Sequence, residues 1–192
     1  RWFHGPAQTV MVATPTLHQR LTHRGFRRLG MWSRGVDTGL FRPRDKLPLA
    51  GARPIFMYMG RVAVEKNIEA FLQLDLPGAK YVVGGGPDLE MLKRQYPEAH
   101  FPGFKTGEEL AAHLASADVF VFPSRTDTFG LVIIEALACG VPVAAFPVQG
   151  PIDVLRDDVA SLDPELDRAI AGALRRDRRG CADYARAFSW KA

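Results

Sequence analysis

Arg61 and Lys66 lie five positions apart in the segment Gly60-Arg61-Val62-Ala63-Val64-Glu65-Lys66-Asn67. Arginine offers a planar fork that can hold two phosphate oxygens and lysine a compact charge, so the two could converge on one diphosphate. Taken alone, they read equally as solvated loop charges. Asp127 and Glu135 form a second pair, eight positions apart. Glu135 interrupts the apolar run Leu131-Val132-Ile133-Ile134-Glu135-Ala136-Leu137, where a charge is expensive to bury without a partner. If a helix begins near Phe129, Glu135 falls about two turns in, roughly 9 Å along the axis. Two acids would then flank a helix N-terminus whose free N–H groups and dipole favour a phosphate. The alternative makes Asp127 an N-terminal capping acid and Glu135 a half-exposed helix residue. Between the two pairs comes Gly84-Gly85-Gly86-Pro87, where missing side chains let backbone approach a ligand closely. It is not the dinucleotide fingerprint, because Leu89 stands where the third glycine would be, and no Gly-Lys-Ser/Thr follows to make a Walker loop.

These residues need elements to hold them. Val119–Phe122 is a β-branched and aromatic run, the pattern of a strand buried on both faces. Pro123 and Ser124 end it. A polar loop carries Arg125 and Asp127, Phe129-Gly130 opens an apolar helix, Gly140 stops that helix, and residues 141–146 make the next buried strand. Such a βαβ unit implies a parallel sheet with a right-handed crossover, and ligands bind such sheets outside the carboxyl ends of the strands. The same alternation starts at Ile55. Strands are expected at 55–59, 80–83 and 100–104, and helices at 67–74, 88–96 and 106–117. Thr106 and Glu109 have capping-box spacing. A short helix near 148–155 and helices at 165–175 and 179–188 close the chain. Ahead of this unit, 9–13 reads as a strand, Thr14-Pro15 opens a helix to His23 with Gly25 as its stop, 29–32 is another short strand, and 42–54 is a proline- and charge-rich linker. The fold class is α/β, a doubly wound Rossmann-like parallel sheet.

Composition narrows the function. No apolar run approaches the length of a membrane span and no signal-peptide pattern opens the chain. Cys139 and Cys181 lack metal spacing and the five histidines are scattered, so no metal is expected and a reducing, cytoplasmic setting is. Residues 1–53 carry ten Lys/Arg against two acids, whereas 54–192 carry fifteen against nineteen. The basic segment could meet phosphates, anionic lipid or an acidic partner surface. Without zinc-finger, basic-zipper or RNP-type motifs, nucleic acid is not an expected partner.

Taken together, the loops resemble a family. Gly60-Arg61-x4-Lys66-Asn67, Gly84-x-Gly86-Pro87, Pro123-Ser124, Asp127-x-Phe129-Gly130-x4-Glu135-Ala136 and Gly140-x-Pro142-Val143 are similar to the donor domain of family 4 retaining glycosyltransferases, which have the GT-B fold. Gly35-Val36-Asp37-x3-Phe41-x-Pro43 is similar to the segment leading into it. The resemblance implies that Arg61 and Lys66 bind the donor's diphosphate, Glu135 the nucleotide ribose and Asp127 hydroxyls of the donor sugar. Gly60, Gly86, Phe104, Thr128, Phe129, Gly130 and Leu131 complete the donor contacts, with the amides around Phe129-Gly130 facing phosphate and sugar. It further implies hexose transfer with retention of configuration, without metal or cofactor, from a nucleotide-diphosphate sugar. The acceptor would be lipid-linked or a saccharide, placing the protein in the cytoplasm or peripherally at the inner membrane face. Residues 1–33 are expected to be the tail of an N-terminal acceptor domain, 34–54 an interdomain linker and 55–192 the donor domain, a fragment inactive alone. At Asp127 the family usually has glutamate, one methylene longer, which leaves the sugar open. A non-catalytic nucleotide-binding module and a GT-B nucleotide-sugar epimerase are the alternatives.

Overall fold

The computed structural model describes residues 7–32, 34–127 and 129–190. The chain begins with β1 (Val10–Val12), α1 (Pro15–His23) and β2 (Leu29–Met31), a βαβ unit whose two strands pair parallel. Thr14 caps α1, its hydroxyl accepting from the Leu17 N–H at 3.2 Å, and Pro15 occupies the first turn, where its missing N–H costs nothing.

The main sheet comprises β3 (Ile55–Met59), β4 (Ala79–Val83), β5 (His100–Gly103), β6 (Val119–Phe122), β7 (Val143–Ala145) and β8 (Ala160–Leu162). Their order is β5-β4-β3-β6-β7-β8 and every pair is parallel. From β3 the chain steps outward to β5, then returns to lay β6 against β3 and builds the other half. The crevice between β3 and β6 is therefore the topological switch point, where a doubly wound sheet binds its ligand.

Strand period two divides the core. Ile55, Met57, Phe120 and Phe122 face one layer, packed by α4 (Gly107–Ser116), α5 (Leu131–Ala138) and α8 (Arg178–Ala185). Phe56, Tyr58, Val119 and Val121 face the other, packed by α2 (Glu69–Leu72), α3 (Leu89–Gln95) and α7 (Leu166–Ala173). Burial on both faces is why these strands read as continuous apolar runs. A short α6 (Pro151–Val154) follows β7.

The segment 42–54 is held at the pole away from the crevice. Asp118 accepts from the Ile55 N–H at 2.8 Å and from Arg53 at 2.7 Å, and it also pairs with Lys46. Arg178 donates to the carbonyls of Ala115 and Ala117 and Arg53 to that of Ser116, placing cations at the C-terminal end of α4, where the helix dipole favours them.

Several local expectations change. The Thr106–Glu109 capping box does not form: Thr106 has extended backbone but makes no side-chain cap bond, and Glu109 instead pairs with Lys105 at 2.5 Å. The helix expected over 67–74 shrinks to the four-residue α2, and a 3₁₀ turn, Val64–Lys66, precedes it, with Asn67 between them in the left-handed conformation at φ 53°. Its side chain donates to the Pro123 carbonyl at 3.0 Å, so this break ties the loop after β3 to the loop after β6. Strand β8 was not expected at all.

Candidate donor site

Two cavities open at the carboxyl ends of the strands. The first, about 500 Å³, is lined by Gly84, Gly85, Phe104, Lys105 and Glu135. The second, about 420 Å³, is lined by Arg34, Lys66, Asp127, Phe129, Gly130 and Leu131. Met59, Gly60, Arg61 and Val132 line both, so the two share one wall.

The loop after β3 supplies that wall. The Tyr58 hydroxyl donates to the Arg61 carbonyl at 2.7 Å from a buried position. Burial, and then the nearby Asp127 and Glu65 charges, push its phenol above the ordinary range, which keeps it a donor. Arg61 itself extends outward, its side chain 68% exposed and 3.7 Å from Glu65. The Lys66 ammonium, drawn further in, donates to Asp127 at 2.7 Å. Thus the two cations read from one loop do flank a common cleft, and Lys66 brings an acid from the other loop with it.

The loop after β6 leads into α5. Gly130, at φ 75°, occupies the N-cap and no side chain caps the helix there. A Cβ at Gly130 would lie 2.8 Å from Ile133 and 3.3 Å from Phe122, so only glycine fits. In the first turn of α5 the Ile133 N–H donates to the Gly130 carbonyl at 2.9 Å, while the N–H groups of Leu131 and Val132 stand at the end of the helix where an anion would be favoured. Phe129 is buried beneath the loop and Leu131 is exposed at the rim. Glu135 lies one turn inside the helix on the wall of the first cavity, where burial pushes its carboxyl above the ordinary glutamate value.

Phe104 is 75% exposed on the first cavity, a ring face open to stacking. Gly86 lines neither cavity. A Cβ there would sit 2.1 Å from the Val62 carbonyl oxygen, so this glycine serves backbone-to-backbone packing of the loops after β3 and β4. Thr128 lies outside the described residues. Among the lining residues not expected at the site are Tyr58, Lys105 and Arg34. Lys105 directly follows Phe104 at the end of β5, and Arg34 directly precedes the Gly35-Val36-Asp37 motif, so adjacency to those residues was the available signal. Among the described residues no group of three or more His, Cys, Asp or Glu is placed to hold a metal ion. Both cysteines are free and buried, and burial pushes their thiols up to about 12.

The sequence model of the family described as "Glycosyl transferases group 1" matches residues 42–177. The chain belongs to this family. Among curated glycosyltransferases it is 34% identical over 175 residues to a sulfoquinovosyl transferase of Arabidopsis thaliana, which covers 82% of this chain and 34% of that protein. It is 34% identical over 168 residues to a GDP-mannose-dependent alpha-mannosyltransferase of Corynebacterium glutamicum, covering 83% of this chain and 41% of that one. The chain therefore spans well under half the length of these relatives. Among solved structures it matches sucrose-phosphate synthase from Thermosynechococcus elongatus with a TM-score of 0.78 and 26% identity, over 95% of this chain and 54% of that one. The sheet is that of a Rossmann-like GT-B glycosyltransferase domain, as expected from sequence. No helix among the described residues is long and apolar enough to cross a membrane.

The raised pKa of Glu135 has a testable consequence. Its folded-state pKa lies above the unfolded value, so ionisation costs stability as pH rises from the ordinary glutamate range through the raised value. A carboxylate accepts from two hydroxyls and protonation removes part of that capacity, so if Glu135 takes the ribose hydroxyls, nucleotide affinity is expected to fall on acidification at a higher pH than an exposed glutamate would dictate. Titrations from about pH 8 to about pH 5 should show this fall in wild type and lose it in Glu135→Gln, with the fold retained. The same pH profile in both proteins would assign the dependence to another group.

Proposed function

We propose that this chain binds the nucleotide-diphosphate sugar of a retaining glycosyltransferase and presents its hexose for transfer. The observation that carries the reading is the division of charge between two adjoining cavities: Glu135 in the first, Lys66 and Asp127 in the second, and Arg61 on the shared wall. That order matches the order of parts in the donor. The nucleoside takes the first cavity, its base beside Phe104 and its ribose hydroxyls on the Glu135 carboxylate. The diphosphate lies between Arg61 and Lys66, and the sugar reaches Asp127 and the amides at the start of α5.

The chemistry follows from this placement. Breaking the bond between the sugar's anomeric carbon and the diphosphate leaves negative charge on the phosphate. Lys66, held by Asp127, and the start of α5 stand where that charge develops and stabilise it with little reorganisation, and the exposed Arg61 turns in from the shared wall to join them. The acceptor hydroxyl attacks on the face the diphosphate leaves, forms the new bond to the anomeric carbon as the old one breaks and gives its proton to the departing phosphate oxygen, giving retention. We assign this stabilisation to side chains and backbone, with no metal or cofactor in the reaction. The acceptor, lipid-linked or a saccharide, would bind mainly to a partner acceptor domain outside the donor unit, and nucleic acid has no part. A cytoplasmic setting, with or without peripheral membrane contact, fits two free buried thiols.

Calorimetric titration with UDP, GDP and ADP, first in EDTA and then with magnesium, tests the reading. Saturable binding of one diphosphate, unchanged by EDTA, is the expected result and selects the base. Binding that appears only with magnesium removes the metal-free mechanism, and silence toward all three removes donor binding by this chain.

A further inference from the structure

The cavity that contains Lys66 and Asp127 has a third cation on its wall, Arg34. It comes from neither loop at the switch point but from the segment after β2, well before the chain enters β3 at Ile55. The backbone beside it is held. The Val36 N–H donates to the Phe188 carbonyl at 2.8 Å, the Trp190 N–H donates to the Val36 carbonyl at 3.3 Å, and a Cβ on Gly35 would lie 2.6 Å from the Trp190 ring. Arg34 is exposed, with its guanidinium 5.8 Å from the centroid of the Trp32 ring.

Partners separate Arg34 from the other two cations. Arg61 lies 3.7 Å from Glu65, and Lys66 lies 2.7 Å from Asp127. Among the described residues, Arg34 has no carboxylate in salt-bridge range. Two of the three cations lining this cavity thus bring their own counter-charge, while the third finds none among the described residues. A nucleotide-sugar donor carries negative charge on each of its two phosphates, and Arg61 and Lys66 meet it partly neutralised. Resting on the donor-site reading above, we infer that Arg34 is a third ligand of the donor diphosphate. Its fork can take two phosphate oxygens, which a lysine could not match. Donor binding then ties the segment leading out of the β1–α1–β2 unit to the loops at the switch point.

Titration of the chain with UDP, GDP and ADP, each beside its nucleoside, tests this in wild type, Arg34→Ala and Arg61→Ala. For whichever diphosphate binds wild type, Arg34→Ala should weaken affinity about tenfold. Nucleoside affinity and the thermal midpoint should hold, because Arg34 is exposed. Wild-type diphosphate affinity in Arg34→Ala, with Arg61→Ala weakened, removes Arg34 from the site and leaves the donor reading standing. Equal losses for diphosphate and nucleoside remove it too, since a phosphate contact would spare the nucleoside. Failure of wild type to bind any diphosphate removes the donor reading and the role of Arg34 together.

Discussion

Gly84→Ala should destabilise the chain by about 3 kcal/mol or more, through backbone strain and overpacking together. Gly84 sits at the carboxyl end of β4 with φ 148°, a conformation that side chains resist, and a Cβ there would lie 1.9 Å from the carbonyl oxygen of Gly60. The obstacle is backbone, so no rotamer can relieve it. The Gly84 N–H also donates to the Gly103 carbonyl at 3.0 Å, and the Gly60 N–H to the Val83 carbonyl at 3.0 Å, so the position is held from both sides. Any relief must shift Gly60 and with it Arg61, which makes the substitution a defect of the site as well as of the fold. Gly107→Ala is the control. It has φ 53° with nothing within 4 Å of the added Cβ, so it carries only the conformational cost, about 1 kcal/mol. Thermal unfolding should place Gly84→Ala roughly 6–12 °C below wild type, at about 2–4 °C per kcal/mol for a chain of this size. Equal midpoints for the two variants would falsify the clash.

The contrast between glycines marks what the sequence could and could not convey. From the chain alone, Gly84-Gly85-Gly86 looked like a place where backbone meets ligand. Gly84 and Gly85 do line a cavity, but Gly84 and Gly86 are glycine because the loops after β3 and β4 touch backbone to backbone. Both demands select the same residue, so the letter cannot tell them apart. The main strands were legible for the opposite reason: a doubly buried strand such as Phe56 to Tyr58 or Val119 to Val121 has one pattern and few alternatives. Strand β8 escaped because Ala-Ser-Leu is short, only its first residue is fully buried, and it exists only by pairing with β7. The capping box failed where two local partners competed for Glu109 and Lys105, one turn away, won. The alternation of elements carried the switch point; the pairing of side chains across it depended on distances that a chain read in order does not contain. Lys66 and Asp127 show this, being 61 residues apart and in contact.

That contact sets the largest expected effect at the site. Lys66→Ala should weaken nucleoside diphosphate binding by roughly 3 kcal/mol, on the order of a hundredfold, while leaving nucleoside binding nearly intact. Loss of one charge-assisted hydrogen bond accounts for only part of this. An ammonium has three donors, so Lys66 can hold Asp127 and a phosphate oxygen at once. Removing it deletes the phosphate contact and also leaves a carboxylate, its side chain only 18% exposed, without its lysine and beside the incoming diphosphate. The penalty is therefore a lost attraction plus a new repulsion. The two parts separate in a double-mutant cycle with Asp127→Ala. If Asp127 repels the diphosphate once Lys66 is gone, the double variant binds diphosphate more tightly than Lys66→Ala alone. Additive losses would mean that the pair acts independently on the ligand, with Lys66 on phosphate and Asp127 on sugar and no coupling through their ion pair. A nucleotide-sugar titration beside the diphosphate completes the cycle, because Asp127→Ala alone should weaken the sugar-bearing ligand and spare the bare diphosphate.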